Sequence, residues 1–158
     1  MENIKIGFAS GKDKKQLIEW FKHYDSKKAI EKRVDCYIKH NFTIIAKDIE
    51  KDKEKIVGVM QWYAKEDPRD GLAEFEEMFV SEDYRNKGIA SKMIEFAIKA
   101  VKDYFNSIGK KPRRIFLFVS KNNANARKIY EKAGFKMVSS VGNLFNDNEE
   151  ELFYSMKI

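Results

Sequence analysis

A mixed α/β sheet flanked by helices is the fold class predicted for this chain, and three observations predict it. Short segments of alternating apolar character are interleaved with stretches of helical periodicity. In the first half, three β-rich segments follow one another through short polar connections, as in an antiparallel meander. In the second half, strand, helix and strand signals alternate, which requires a crossover and so places parallel strands mid-chain.

Ile4 to Phe8 alternates as a short strand. After Ser10-Gly11-Lys12-Asp13, Leu17, Ile18 and Phe21 share one helical face, and Ile30, Val34, Tyr37 and Ile38 recur at the same spacing in a second helix. Phe42 to Ile49 and Lys55 to Tyr63 are rich in strand formers, and the charged stretch Glu50 to Glu54 between them reads as a hairpin loop. Asp67-Pro68-Arg69-Asp70-Gly71 concentrates turn formers ahead of a strand at Leu72 to Val80. Ile89, Met93, Ile94, Ala97, Ile98, Val101 and Phe105 then form a long amphipathic stripe, closed by Gly109 and Pro112. Ile115 to Val119 is a compact apolar strand, Asn122 to Lys132 a helix stopped by Gly134, Phe135 to Ser139 a strand, and Glu151 to Ile158 the last one. The expectation is about six or seven strands with about four helices.

With 158 residues, 43% hydrophobic content and only 2 Pro, the chain has the composition of a folded domain, read as a single unit over residues 1–158. No stretch approaches the roughly 18 apolar residues that cross a bilayer, so the expectation is a cytoplasmic protein with no membrane partner. The one cysteine, Cys36, can form no internal disulfide, and His23 and His40 have no ligand pattern near them, so no metal site is expected. A net charge of +6 suits a partner bearing phosphates, nucleic acid or a phosphorylated cofactor. Because 31 basic residues are interleaved with 25 acidic ones and no basic-aromatic stacking clusters occur, nucleic acid is disfavoured.

The chemistry concentrates at one junction. A strand ending in Met78-Phe79-Val80 passes through Ser81-Glu82-Asp83-Tyr84 into Arg85-Asn86-Lys87-Gly88-Ile89-Ala90 and then directly into the long helix. The first N–H groups of a helix lack intrahelical acceptors, the helix dipole adds partial positive charge, and a glycine lets a ligand approach the backbone. Such a junction binds anions, and Arg85 and Lys87 add formal charge to it.

Arg-x-x-Gly-x-Ala between strand and helix resembles the cofactor loop of the GNAT superfamily of N-acetyltransferases. Asn123-Ala124-Asn125-Ala126-Arg127-Lys128-Ile129-Tyr130-Glu131-Lys132-Ala133-Gly134-Phe135 is similar to that family's Asn-x-x-Ala-x-x-x-Tyr-x-x-x-Gly-Phe signature. Both stand in the family's order, and the resemblance covers residues 72 to 139. It implies a GNAT-like mixed, mostly antiparallel sheet and acetyl-coenzyme A as co-substrate. Backbone groups of Met78, Phe79 and Val80 would pair with the pantetheine arm. The amides of Asn86, Lys87, Gly88, Ile89 and Ala90, with Ser91, would hold the pyrophosphate, and Arg127 or the cluster Lys110, Lys111, Arg113, Arg114 could meet the 3'-phosphate. Asn123 would bond the pantetheine or adjacent chain, and Ala126 would leave room for the cofactor. Tyr130 resembles the family's general acid; a phenol near pKa 10 is protonated at neutral pH and can protonate a leaving thiolate.

A base or a water chain must remove a proton from the amine, and a base would come from near the end of the preceding strand, where Glu74, Glu76 and Glu77 crowd together. In a regular strand Glu74 and Glu76 share a face and Glu77 points oppositely, but the bulge that the family carries there would shift the parity. Glu76-Glu77-Met78-Phe79-Val80 resembles the Glu-Asp-Phe-Phe-Val stretch of diamine acetyltransferases, whose base falls on Glu76, so the order is Glu76, Glu77, Glu74. The resemblance also implies that the last hairpin borders the acceptor groove, so an acidic rim at Asp147, Glu149, Glu150 and Glu151, added to these, would attract a cationic acceptor such as a polyamine, aminoglycoside or lysine side chain. A protein or peptide amine, or a non-catalytic sensor that only binds acetyl-coenzyme A, is the alternative reading. The family resemblance also allows a homodimer.

Overall fold

The computed structural model describes residues 3–50, 53–65 and 67–158. Seven strands form one sheet in the order β1-β2-β3-β4-β5-β7-β6: β1 Ile4–Phe8, β2 Thr43–Glu50, β3 Lys53–Ala64, β4 Leu72–Val80, β5 Arg114–Ser120, β6 Lys136–Gly142 and β7 Glu150–Lys157. Four helices flank it: α1 Lys14–Phe21, α2 Lys27–Lys39, α3 Ile89–Ser107 and α4 Ala124–Lys132. This is the mixed, mostly antiparallel architecture expected, and the differences are local. The strands of the first hairpin run on to Glu50 and from Lys53, so most of the predicted loop is ladder; Lys51 and Asp52 lie outside the described residues. Short 3-10 turns at Gly11–Asp13, Pro68–Asp70 and Glu82–Tyr84 had no signal longer than a turn.

Both predicted strand-helix-strand units form, with different outcomes. β4-α3-β5 gives neighbouring parallel strands. In β5-α4-β6 the last strand, β7, inserts between the other two and pairs antiparallel with each, leaving β6 at the sheet edge.

Alternation sorts side chains onto the two faces. Ile44, Ala46, Met60, Ala73, Phe75, Ile115, Leu117, Leu152 and Tyr154 meet α3 and Tyr130 of α4 in the larger core. Ile45, Ile56 and Val59, on the other face, meet Leu17, Phe21, Ile30 and Val34 of α1 and α2. Gly58 lets α3 lie close to β3, since a Cβ there would stand 2.9 Å from the Met93 sulfur and 3.3 Å from the Phe79 carbonyl oxygen. The hydroxyl of Tyr154 on β7 donates to Glu131 at 2.7 Å and fixes α4 against the sheet. No helix among the described residues is long and apolar enough to cross a membrane, and no three His, Cys, Asp or Glu side chains among them are placed to hold a metal ion together.

Candidate active site

Pairing between β4 and β5 runs over only three residue pairs, Leu72↔Arg114, Ala73↔Ile115 and Glu74↔Phe116. Both strands continue, to Val80 and Ser120, without pairing to each other. β4 remains held by β3 and β5 by β7, so the sheet opens as a wedge at its middle. The edge of β4 at Met78, Phe79 and Val80 therefore faces this wedge with backbone groups that no strand uses, and such groups need a partner.

At the wide end stands the loop before α3. Asn86 and Gly88 adopt left-handed conformations, with φ of 59° and 74°. Glycine holds this region without the steric cost a side chain would bring. The N–H groups of Asn86, Lys87, Gly88, Ile89, Ala90 and Ser91 find no acceptor among the described residues. A Cβ on Gly88 would meet nothing within 4 Å, so the space before these donors is open. Consecutive free amides at the positive end of a nineteen-residue helix fit a pyrophosphate.

The two cations of the loop are engaged in building it. Arg85 Nε donates to the Val80 carbonyl at 3.0 Å, and Lys87 Nζ donates to the Asp83 carbonyl at 2.7 Å while lying 5.2 Å from the centre of the Tyr84 ring. Tyr84 anchors the turn, its hydroxyl donating to Asp48 on β2 at 2.7 Å. Tyr84 and Asp48 escape sequence reading because their contact spans 36 positions.

A β-bulge lies in β4. Met60 pairs with Met78 and Trp62 with Phe75, so Gln61 alone stands opposite Glu76 and Glu77. The extra residue resets the alternation: Phe75 and Met78 both face α3, and the three glutamates gather on the α1–α2 face. Their environments differ. Glu74 bridges to Lys65 at 3.2 Å and Glu77 to Arg33 of α2 at 3.3 Å. Glu76 has no ion partner among the described residues. Although the residue is open to solvent, burial of its carboxyl and then the neighbouring Glu74 charge push its pKa up; the Tyr63 hydroxyl opposes this, Glu77 adds to it, and Arg33 subtracts.

Beneath them is a polar cluster that sequence reading missed. Arg33 donates to the Tyr37 hydroxyl at 2.7 Å and to Gln61 Oε1 at 3.3 Å. Tyr63 packs edge-on against Tyr37 at 5.6 Å, and burial, then Tyr37 and Glu76, push its phenol up. Thr43 Oγ1, Gln61 Nε2 and Glu77 Oε2 are buried without a partner among the described residues. Such groups usually mark ordered water.

Tyr130 lies on the opposite face of the sheet, in the larger core. It is 5% exposed and packs edge-on against Phe135, which in turn contacts Phe75 of β4, both at 5.7 Å. Burial alone pushes its phenol up to about 12, so it stays protonated at neutral pH. Asn123 caps α4, its side-chain oxygen accepting from the Ala126 N–H at 3.1 Å. Arg127 donates to the Lys121 carbonyl at 3.1 Å rather than standing free.

A parted pair of parallel strands and a loop whose amides find no acceptor among the described residues meet at one wedge, an arrangement suited to a long phosphorylated ligand. The sequence profile of the acetyltransferase (GNAT) family matches residues 14–135, and the chain belongs to that family. Over 71 residues it is 35% identical to an N-alpha-acetyltransferase of Saccharolobus solfataricus, covering 45% of this chain and 40% of that one. Over 71 residues it is 30% identical to a spermine/spermidine N(1)-acetyltransferase of Bacillus subtilis, covering 45% and 43%. The chain thus spans less than half the length of these curated relatives. Spermidine N-acetyltransferase from Vibrio cholerae, solved with CoA and spermine, superposes with a TM-score of 0.77 at 17% identity, covering 99% of this chain and 96% of that one.

Proposed function

We propose that this chain transfers an acetyl group from acetyl-coenzyme A to a primary amine of a small cationic molecule. The observation that carries the reading is the coincidence, at one wedge, of six amides without an acceptor and one carboxylate without an ion partner among the described residues. Asn86 to Ser91 would hold the pyrophosphate, and the free edge of Met78, Phe79 and Val80 the pantetheine arm. Acetyl-coenzyme A supplies an activated thioester, whose C–S bond breaks as the new C–N bond forms.

The chain's own residues handle the protons. An alkyl ammonium cannot attack until it loses one, and Glu76, without an ion partner and with a raised pKa, is the base suited to take it. Glu74 and Glu77 are committed to Lys65 and Arg33, and their charges set the field around Glu76. Tyr130, protonated and on the far side of the gap, delivers a proton to the departing sulfur. Acid and base therefore work from opposite faces of the sheet and meet only where β4 and β5 part.

The stretch that is 35% identical to an N-alpha-acetyltransferase favours a second acceptor, a peptide amine. One assay separates the readings: thiol release from acetyl-coenzyme A with small amines, polyamines, aminoglycosides and short peptides. Turnover confined to small cationic amines, reduced about 10² to 10⁴ fold in Glu76→Gln and in Tyr130→Phe with cofactor binding retained, is the expected result. Cofactor binding with no acetylation of any amine would leave a sensor domain instead.

A further inference from the structure

On the α1–α2 side, the helices cover β2 and β3 and stop there: every buried side chain of that core lies before β4. Beyond the wedge, the same face of β5 and β7 carries phenylalanines that belong to neither core. Phe116 and Phe118 of β5, Phe153 of β7 and Phe145 of the β6–β7 loop touch one another, with ring centres 5.3 to 6.5 Å apart. Phe145 is 64% exposed. The wall begins where the strands separate, because Phe116 is the last β5 residue paired with β4, opposite Glu74.

This aromatic face already accepts an ammonium: Lys65 Nζ lies 5.6 Å from the centre of the Phe116 ring while it bridges to Glu74. Such an arrangement is a cation–π contact completed by a carboxylate.

At the far end of the wall is Glu151. On β7, Leu152 and Tyr154 enter the larger core, so Glu151 and Phe153 point to the aromatic face, with Glu151 opposite Ser120. The other acids of this segment are used or outside: Glu150 bridges to Lys121, Glu149 accepts from Asn146, and Asp147 is exposed. Glu151 is only 6% exposed and pairs with no cation and accepts no hydrogen bond among the described residues. The side chain is packed against the wall while its oxygens stay at the surface, so a carboxylate beside apolar rings and without an ion partner is stabilised by a cation that reaches it there. Burial, then Glu149, push its pKa up, and a cation beside it would reverse both effects.

Resting on the acetyl-transfer reading, we propose that Glu151 and the wall of Phe116, Phe118 and Phe153 form a subsite for a second ammonium, which makes the preferred acceptor a dication with an apolar spacer. β4 and β7 flank β5, so Glu76 and Glu151 are separated by two strand spacings, about 10 Å or more once the wedge is added. Methylenes of the spacer lie on the phenylalanine rings, one amine reaches Glu76, and the other pairs with Glu151.

The test compares linear α,ω-diamines from three to eight carbons with monoamines of equal length, by kcat/KM for thiol release and by calorimetric binding to the protein with CoA. The expected result is a diamine preference of at least ten-fold that peaks at an intermediate length. In Glu151→Gln the diamine-to-monoamine ratio should fall to near one in both assays, and Phe118→Leu should weaken binding of the longer diamines. Thermal melting of each variant separates a lost subsite from a lost fold. A diamine preference unchanged in a folded Glu151→Gln protein, or equal handling of diamines and monoamines by the unaltered chain, overturns the subsite while leaving acetyl transfer standing. Length-selective diamine binding that needs Glu151, without acetylation of any amine, would keep the subsite and refute the enzymatic reading.

Discussion

Glu76 carries a cost that an ordinary strand glutamate would not, and its neighbours set the size of that cost. Its carboxyl binds a proton more tightly in the folded chain than in the unfolded one, through burial and the Glu74 and Glu77 charges. Stability from this group is therefore present at low pH and lost as pH rises through its folded value. Glu76→Gln should accordingly melt at a higher temperature than the unaltered protein at neutral pH while losing activity. The same charges predict two opposite shifts in the ascending limb of kcat/KM against pH. Arg33→Met removes a cation that favours the charged form and leaves Glu77 uncompensated, moving the limb to higher pH. Glu77→Gln removes an anion and frees Arg33, moving it to lower pH. Equal limbs in both variants would show that Glu76 is not the titrating base. The three glutamates themselves were plain in the sequence. Their partners were not, since Arg33 reaches Glu77 from a different element far back in the chain and no local pattern announces that contact.

Among the elements, the loop from Arg85 to Ala90 illustrates a site built from backbone rather than side chains. Its signal was local, a glycine between a strand and an amphipathic helix, and that is why it could be read directly. What could not be read was the use of Arg85 and Lys87, which close the turn onto the Val80 and Asp83 carbonyls. Gly88→Ala isolates the loop's role, because the Cβ meets no atom and only the left-handed backbone is strained. We expect a loss of about 1 to 2 kcal/mol in denaturant unfolding, with CoA affinity falling more than that strain alone explains if the amides turn out of line. Unchanged CoA affinity in a destabilised protein would remove the loop from the binding site. The bulge in β4 is a second device at this scale. It turns a strand that would scatter its acids over two faces into one that presents them together, and only the pairing of Gln61 against two residues reveals it.

Across the whole molecule, the two faces of the sheet are fastened differently. The larger core is apolar, whereas the N-terminal turn is tied to β2 by a charge pair. Burial of the Asp13 carboxyl raises its pKa, but Lys47 at 2.7 Å and the Ser10 N–H and O–H outweigh burial and hold it below the ordinary value. The resulting stability is present above the unfolded value near 3.8 and is lost as pH falls through the folded one. Asp13→Asn should cost about 3 kcal/mol at pH 7, the low end for breaking a buried pair because Lys47 keeps Glu54, and the difference should shrink toward pH 3. A difference that stays constant with pH would assign the loss to packing. The sequence by itself determined the elements whose signals lie within one turn or one strand: the amphipathic stripe of α3, the glycine loop before it, the capped helix carrying Tyr130, and hence the family. Tertiary structure alone decided that β7 inserts between β5 and β6, that β4 and β5 part after Glu74, and that Glu151 turns inward beneath a phenylalanine wall. The reason is physical: periodicity records which face of an element is buried, while strand order, the wedge and the fate of each charge depend on partners far along the chain.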